Sequence, residues 1–141
     1  MNRIAVIYWS GTGNTQMMAE AVAQGAKDAG AEVTLLSVSD TDAAAASSYD
    51  ALALGCPAMG GEVLEESEFE PFFSELEGKL SGKKVVLFGS YDWGDGQWMR
   101  DFEDRITSYG GQLISDGLIV QNEPEDNCEE CLAFGMAIAK A

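Results

Sequence analysis

Five short apolar runs, separated by stretches with helical periodicity, place the strongest constraint on how this chain can fold. The runs cover residues 3–8, 32–38, 51–55, 84–89 and 112–120. Regular alternation of strand and helix predicts a parallel sheet with helices on both faces. The fourth run contains Val85-Val86-Leu87-Phe88, and consecutive apolar residues are typical of a strand that is covered on both sides.

The segments between these runs predict helices. Apolar residues recur at helical spacing from Met18 to Ala29, and Gly30 is placed to end that helix. Further helices are predicted over residues 68–80, 97–109 and 128–139, with a short helix or turn over residues 40–48. Trp98 shares a helical face with Phe102, so we expect it in the core.

The number of strands favours one topology. Five strands suit the doubly wound order 2-1-3-4-5, a three-layer α/β architecture whose switch point lies between strands 1 and 3. Ligands of such sheets bind beyond the carboxyl ends of the strands at that point. The loops expected to meet there cover residues 10–15 and 56–62. We expect the 141 residues to form a single domain, residues 1–141.

The chain is strongly acidic, with 24 Asp and Glu residues against 8 Lys and Arg residues and a formal charge of −16. We expect no nucleic-acid partner, because binding to phosphates of the nucleic-acid backbone depends on Lys and Arg. An acidic surface favours basic protein partners instead. No apolar run approaches the roughly 18 residues of a membrane span and no signal-peptide pattern is present, so we expect a cytoplasmic protein that does not bind membranes.

The chain contains no histidine, which is the commonest general base and metal ligand. Chemistry is therefore expected to belong to a bound group, and neither a catalytic residue nor a metal site is predicted. Cys128 and Cys131 form a C-x-x-C pair that could be a redox dithiol or half of a zinc site. The flanking Glu129 and Glu130 would raise a thiol pKa, so two reduced cysteines on a helix are the expected state.

A glycine-rich loop lies between the first strand and the first helix. It reads Ser10-Gly11-Thr12-Gly13-Asn14-Thr15 and contains no lysine or arginine. A P-loop would need a lysine, and a dinucleotide fingerprint would need a third glycine where Gln16 stands. A loop rich in hydroxyl groups, followed by a helix N-terminus, suits a phosphate monoester. A glycine-rich turn without a ligand remains the alternative.

Five stretches carry a resemblance that covers essentially the whole chain. They are Tyr8-Trp9-Ser10-Gly11-Thr12-Gly13-Asn14-Thr15, Ala58-Met59-Gly60, Ser90-Tyr91-Asp92-Trp93-Gly94-Asp95-Gly96, residues 65–72 and residues 118–124. Taken in the order in which they occur along the chain, these stretches resemble the flavodoxins, and in particular the short-chain clostridial type. The resemblance implies the flavodoxin-like fold and non-covalently bound FMN.

The resemblance also implies which residues contact FMN. These residues lie in three loops: Ser10, Gly11, Thr12, Gly13, Asn14 and Thr15; Pro57, Ala58, Met59, Gly60, Gly61 and Glu62; and Ser90, Tyr91, Asp92, Trp93 and Gly94. Met59 and Trp93 would pack on the two faces of the flavin ring, and Glu62 would accept a hydrogen bond from its N3–H. Glycine at positions 60 and 61 permits both orientations of the turn peptide, which we expect to stabilise the semiquinone.

Three positions depart from the flavodoxin pattern. Pro57 stands in place of a serine, which removes one hydroxyl and one N–H from the phosphate side. Asp92 stands where glycine is usual, and Gly61 replaces an acidic residue. Phosphate binding is therefore expected to depend more heavily on residues 10–15.

The function implied by the resemblance is a low-potential one-electron carrier, not an enzyme, that cycles mainly between semiquinone and hydroquinone. As a monomer it would transiently meet basic patches of redox proteins such as ferredoxin-linked reductases and oxidoreductases. The acidic residues expected to ring the exposed flavin edge are Glu62, Glu65, Glu66, Asp92, Asp95 and Glu123. An FMN-dependent quinone or nitro reductase is an alternative on this fold. A phosphoacceptor receiver domain is another, although the acidic cluster it needs after strand 1 is missing.

Overall fold

The computed structural model describes residues 3–11, 13–59, 64–91, 94, 96–121 and 128–141. The strands of the described chain are β1 (Arg3–Tyr8), β2 (Glu32–Ser37), β3 (Ala51–Gly55), β4 (Lys84–Tyr91), β5 (Gln112–Leu113) and β6 (Leu118–Gln121). The helices are α1 (Asn14–Asp28), α2 (Ala43–Ala46), α3 (Phe69–Leu76), α4 (Gln97–Ser108) and α5 (Glu129–Lys140). Short 3₁₀ turns cover Val38–Asp40 and Glu77–Lys79.

The strands form one parallel sheet in the order β2-β1-β3-β4-β5, with β6 also paired to β4. This confirms the predicted doubly wound order 2-1-3-4-5. The predicted fifth strand over residues 112–120 is wrong in one respect, because it is split into β5 and β6. Between them the Gly117 N–H donates to Glu103 Oε2 at 2.8 Å, so a bond to α4 replaces the sheet ladder there.

Alternate residues of the central strands face two separate cores. Ala5 and Ile7 of β1 belong to a core shared with α2, α3 and α4. Ile4 and Val6 of the same strand belong to a core shared with α1 and α5. β3 is buried along its whole length, as expected for a strand covered on both sides. Because β1 and β3 pair in parallel, their carboxyl ends lie side by side at the same end of the sheet.

Helix ends follow local capping chemistry. α1 stops before Gly30, which has a φ of 94° and donates its N–H to the Lys27 carbonyl at 2.9 Å. This confirms the predicted helix end. α2 is shorter than the predicted segment of residues 40–48, and it begins after Asp42, whose carboxylate accepts the Ala45 N–H at 2.8 Å.

α1 and α5 pack so closely that their backbones touch at two glycines. A Cβ atom on Gly25 would overlap the Leu132 carbonyl, and a Cβ on Gly135 would overlap the Val22 carbonyl. Only glycine allows this approach without moving one helix. The two helices therefore form one layer, and α1 carries the glycine-rich loop at its N-terminus.

A single arginine ties α3 to α4. The Arg105 guanidinium donates to both carboxylate oxygens of Glu70 at 2.6 and 2.8 Å and to Glu77 at 2.8 and 3.2 Å. It also lies over the Phe73 ring, 4.6 Å from the centroid. The hydrogen bonds from Arg105 hold the pKa of the Glu70 carboxyl below its ordinary value. This network fixes α3 beside α4 on the sheet.

Candidate functional site

The glycine-rich loop connects the carboxyl end of β1 to the first turn of α1. Ser10 Oγ accepts the Gly13 N–H at 3.0 Å, which closes the loop on itself. Gly13 precedes α1 with a φ of 99°, a conformation that favours glycine, and it has no side chain to cap the helix. The first turn of α1 contains no acidic residue. Thr12 lies outside the described residues.

A buried hydroxyl pair joins the first and third of the predicted loops. Thr15 Oγ1 and Ser90 Oγ are 2.8 Å apart, and their residues are 1% and 4% exposed. Thr15 lies in the first turn of α1, and Ser90 lies near the end of β4. The fold therefore brings two neutral hydroxyl groups together where the glycine-rich loop enters α1.

The second loop is held against β4 by backbone hydrogen bonds. The Cys56 N–H donates to the Phe88 carbonyl at 3.1 Å, and the Ala58 N–H donates to the Ser90 carbonyl at 3.0 Å. Pro57, Ala58 and Met59 are half-buried. The first part of this loop thus lies beside Ser90, as the sheet order requires. The remaining predicted contacts of the loop, Gly60, Gly61 and Glu62, lie outside the described residues.

The third loop begins at the end of β4. The Tyr91 ring packs against Trp98, with ring centroids 5.5 Å apart. Trp98 is 1% exposed, which confirms its predicted place in the core, and its Nε1–H donates to the Cys56 carbonyl at 3.1 Å. Gly94 is exposed with a φ of 97°. Asp92 and Trp93 lie outside the described residues.

Glu65 lies in a different environment from the one that the sequence predicts. Instead of ringing an exposed edge it is 5% exposed, and its carboxylate accepts the N–H groups of Ser67, Glu68 and Phe69 at 2.7–2.9 Å. Burial opposes ionisation, but the three hydrogen bonds outweigh it and hold the Glu65 pKa below its ordinary value. Glu65 therefore caps the start of α3.

The same residue is tied to the beginning of the second loop. The Glu65 N–H donates to Cys56 Sγ at 3.3 Å, and Cys56 is fully buried at the end of β3. Burial raises the pKa of Cys56 to about 12, and the nearby Glu65 and Glu70 carboxylates add to the rise. Cys56 is thus a neutral thiol that fastens the two ends of the segment containing residues 57–64. Sequence patterns gave no signal for this contact.

Trp9 makes a second connection to the start of α3. Its Nε1–H donates to Glu68 Oε1 at 3.2 Å, and its ring lies against Gly11. The contact links the glycine-rich loop to the segment that follows the second loop.

The residues described at this edge fit a phosphate monoester. Residues 8–17 contain no lysine or arginine, and the donors brought together are hydroxyl groups, backbone N–H groups and a helix N-terminus. Such a set binds an anion without a neutralising cation. Fold and site together define a doubly wound α/β protein whose glycine-rich loop, at the β1/β3 switch point, is suited to a phosphate monoester.

Comparison with known proteins identifies the family. The family model for flavodoxin matches residues 6–135. Flavodoxin from Clostridium beijerinckii is 55% identical over 134 residues, covering 95% of this chain and 97% of the relative. The solution structure of two-electron reduced Megasphaera elsdenii flavodoxin has a TM-score of 0.89 and 48% identity, and the match covers 98% of this chain and 99% of that one.

The chain belongs to the flavodoxin family. Flavodoxins are FMN-binding electron-transfer proteins rather than enzymes, so the predictions of fold, cofactor and class of protein are confirmed at the level of the family. No helix among the described residues is both long and apolar enough to cross a membrane. The same part of the chain contains no cluster of three or more metal-ligating side chains.

Proposed function

We propose that residues 1–141 form one FMN-binding domain that carries single electrons at low potential between redox proteins. The observation that carries the proposal is the set of neutral donors at the start of α1, where the buried hydroxyl oxygens of Thr15 and Ser90 lie 2.8 Å apart; we call this set the proposed phosphate cradle. Bound FMN would supply the one-electron chemistry. The protein would bind it, orient it and set its potential.

The residues proposed to contact FMN lie in the three loops at the carboxyl ends of β1, β3 and β4. They are Ser10, Gly11, Thr12, Gly13, Asn14 and Thr15; Pro57, Ala58, Met59, Gly60, Gly61 and Glu62; and Ser90, Tyr91, Asp92, Trp93 and Gly94. The first set and Ser90 would hold the phosphate. Met59 and Trp93 would enclose the ring, and Glu62 would accept its N3–H.

The charge of the protein supports a low potential. The formal charge is −16, and residues 8–17 offer the phosphate no cation. Each added electron brings negative charge into this field, and like charges disfavour that addition. We therefore expect the lower of the two one-electron couples to be the working one.

The same charge supports transient contact with basic surfaces of redox partners. Electrostatic attraction between unlike surfaces speeds encounter, while salt screening keeps the complexes weak. We propose that the chain acts as a monomer in the cytoplasm.

The proposed phosphate cradle is tested by comparing two ligands that differ only in the phosphate. The apoprotein should bind FMN far more tightly than riboflavin in a fluorescence-quenching titration. Thr15→Val removes one buried hydroxyl with little change of shape, and it should weaken FMN binding roughly 10- to 100-fold because a hydrogen bond to a charged group contributes about 1.5–3 kcal/mol. Riboflavin affinity should not change. Equal losses for both ligands would contradict the phosphate assignment.

The redox role is tested by an absorbance-monitored reductive titration of the purified protein. We expect two separate one-electron steps, with the second at low potential. Steady oxidation of NAD(P)H by quinone without an added reductase would instead indicate a flavin-dependent reductase.

A further inference from the structure

Cys128 and Cys131 are in direct contact at the start of α5. Cys128 is the residue that caps the helix, and its Sγ accepts the Cys131 N–H at 3.3 Å. Both cysteines are reduced. The two cysteines are therefore in direct contact, which the C-x-x-C spacing alone does not establish.

The two thiols differ in accessibility. Cys128 is half-buried at the helix end, whereas Cys131 is fully buried against the core shared by α1 and α5. Burial raises the pKa of Cys131, and its contacts with Cys128 and Glu130 raise it further. A reagent in solution therefore meets Cys128 first, and Cys131 is held behind it as a protonated thiol.

A disulfide requires the two Cβ atoms to be closer than they are at regular helical spacing. Side chains three residues apart at a helix lie about 5–6 Å apart at Cβ, and a disulfide needs about 3.5–4.5 Å. Cys128 lies outside the helix with a φ of −43° and a ψ of 104°, so its side chain is not fixed at helical spacing, and the proposal requires it to move toward Cys131.

We propose that Cys128 and Cys131 form a reversible dithiol–disulfide site that exchanges with low-molecular-weight disulfides. Cys128, after losing its proton, attacks one sulfur of the disulfide RS–SR, forms a mixed disulfide and releases one RSH. Cys131 then loses its proton and attacks Cys128 Sγ, which releases the second RSH. The protein loses two electrons and two protons, and RS–SR gains both. This two-electron couple is separate from the flavin.

Cys56 provides an internal comparison. It is equally buried, but its Sγ contacts the Glu65 N–H and the Pro57 carbonyl. No second thiol contacts it among the described residues. Cys56 should therefore remain a thiol under conditions that oxidise the pair.

The test is a thiol count on the folded protein with its flavin bound. The protein is incubated with oxidised glutathione, unfolded and alkylated with N-ethylmaleimide, and its intact mass is measured. Of the three cysteines in the sequence, we expect only Cys56 to be alkylated, with a mass lower by two hydrogen atoms before alkylation. Reduced glutathione should restore three alkylated cysteines. Three alkylated cysteines after oxidation, or a glutathione adduct that persists, would overturn the proposal.

Single substitutions assign the two steps. Cys131→Ser should trap the mixed disulfide on Cys128, whereas Cys128→Ser should leave the protein unmodified. Cys131→Ala gives a second test if a buried serine disturbs the core, and it should trap the same adduct. An adduct on Cys131 in the Cys128→Ser variant would contradict the proposed order of attack. The flavin absorbance spectrum checks that each variant remains folded.

Discussion

Glu65 is a carboxylate that holds backbone N–H groups rather than a cation. In Glu65→Gln the amide oxygen can replace Oε1, but the amide NH₂ then faces the Ser67 N–H, so one charge-assisted hydrogen bond is lost. We expect the free energy of unfolding to fall by about 1–3 kcal/mol, measured by urea denaturation at neutral pH. Glu66→Gln removes the same charge from an exposed neighbour and should have little effect. Equal losses in the two variants would show that charge, not capping, is responsible.

The capping role of Glu65 also predicts a pH dependence. Its pKa is lowered in the folded protein, so its contribution is complete above the ordinary glutamate value of 4.5 and is lost as the pH falls through the folded-state pKa. The stability difference between the wild type and Glu65→Gln should therefore be constant near neutral pH and narrow in acid. In both proteins, protonation of the other carboxylates in acid reduces the repulsion between them. This common effect cancels in the stability difference, which therefore reports on Glu65. A difference that does not change with pH would contradict the assignment.

Individual residues of the site differed in how far the sequence could predict them. The placement of Ser10 to Thr15 after β1 followed from pattern alone, because a glycine-rich loop between a strand and a helix has few alternatives. The burial of Glu65 could not be predicted, since an acidic run normally indicates a solvated surface and glutamate is rarely buried. Its burial depends on the turn that brings three N–H groups around it, which is tertiary information.

At the scale of the elements, the contact between α1 and α5 depends on glycine. Gly135→Ala would gain about 1 kcal/mol in helix propensity. However, its Cβ would overlap the Val22 carbonyl, and a backbone carbonyl cannot rotate out of the way as a side chain can. We expect a net loss of about 1–3 kcal/mol in the free energy of unfolding by denaturant titration. Gly78→Ala is the matched control, because its Cβ would meet nothing within 4 Å. A Gly135→Ala protein as stable as the control would show that the helices can separate freely.

Elements were predicted best where burial is complete. β1 and β3 have the predicted bounds, because consecutive apolar residues leave no other interpretation. The last strand was predicted as one run, although Ser115-Asp116-Gly117 is a turn signal within it. The break follows from the contact of Gly117 with Glu103 on α4, which no local pattern encodes.

For the whole molecule, the net charge of −16 predicts a response of stability to salt. Self-repulsion disfavours the compact state, and salt screens it. The urea midpoint of the apoprotein should rise steeply up to about 0.1 M NaCl, where the Debye length is about 10 Å, and then flatten. A rise that continues linearly to about 1 M would indicate ion-specific effects on burial instead of screening.

The pairing of α1 with α5 also affects how the protein is made. α1 leaves the ribosome well before the helix that packs on it, which is formed by residues 129–140. Until those residues emerge, the side of α1 that packs on α5 and the part of the sheet that α5 covers have no partner. During that interval the nascent chain exposes the part of this core that α5 later covers, and chaperones that bind apolar surface have their best opportunity then.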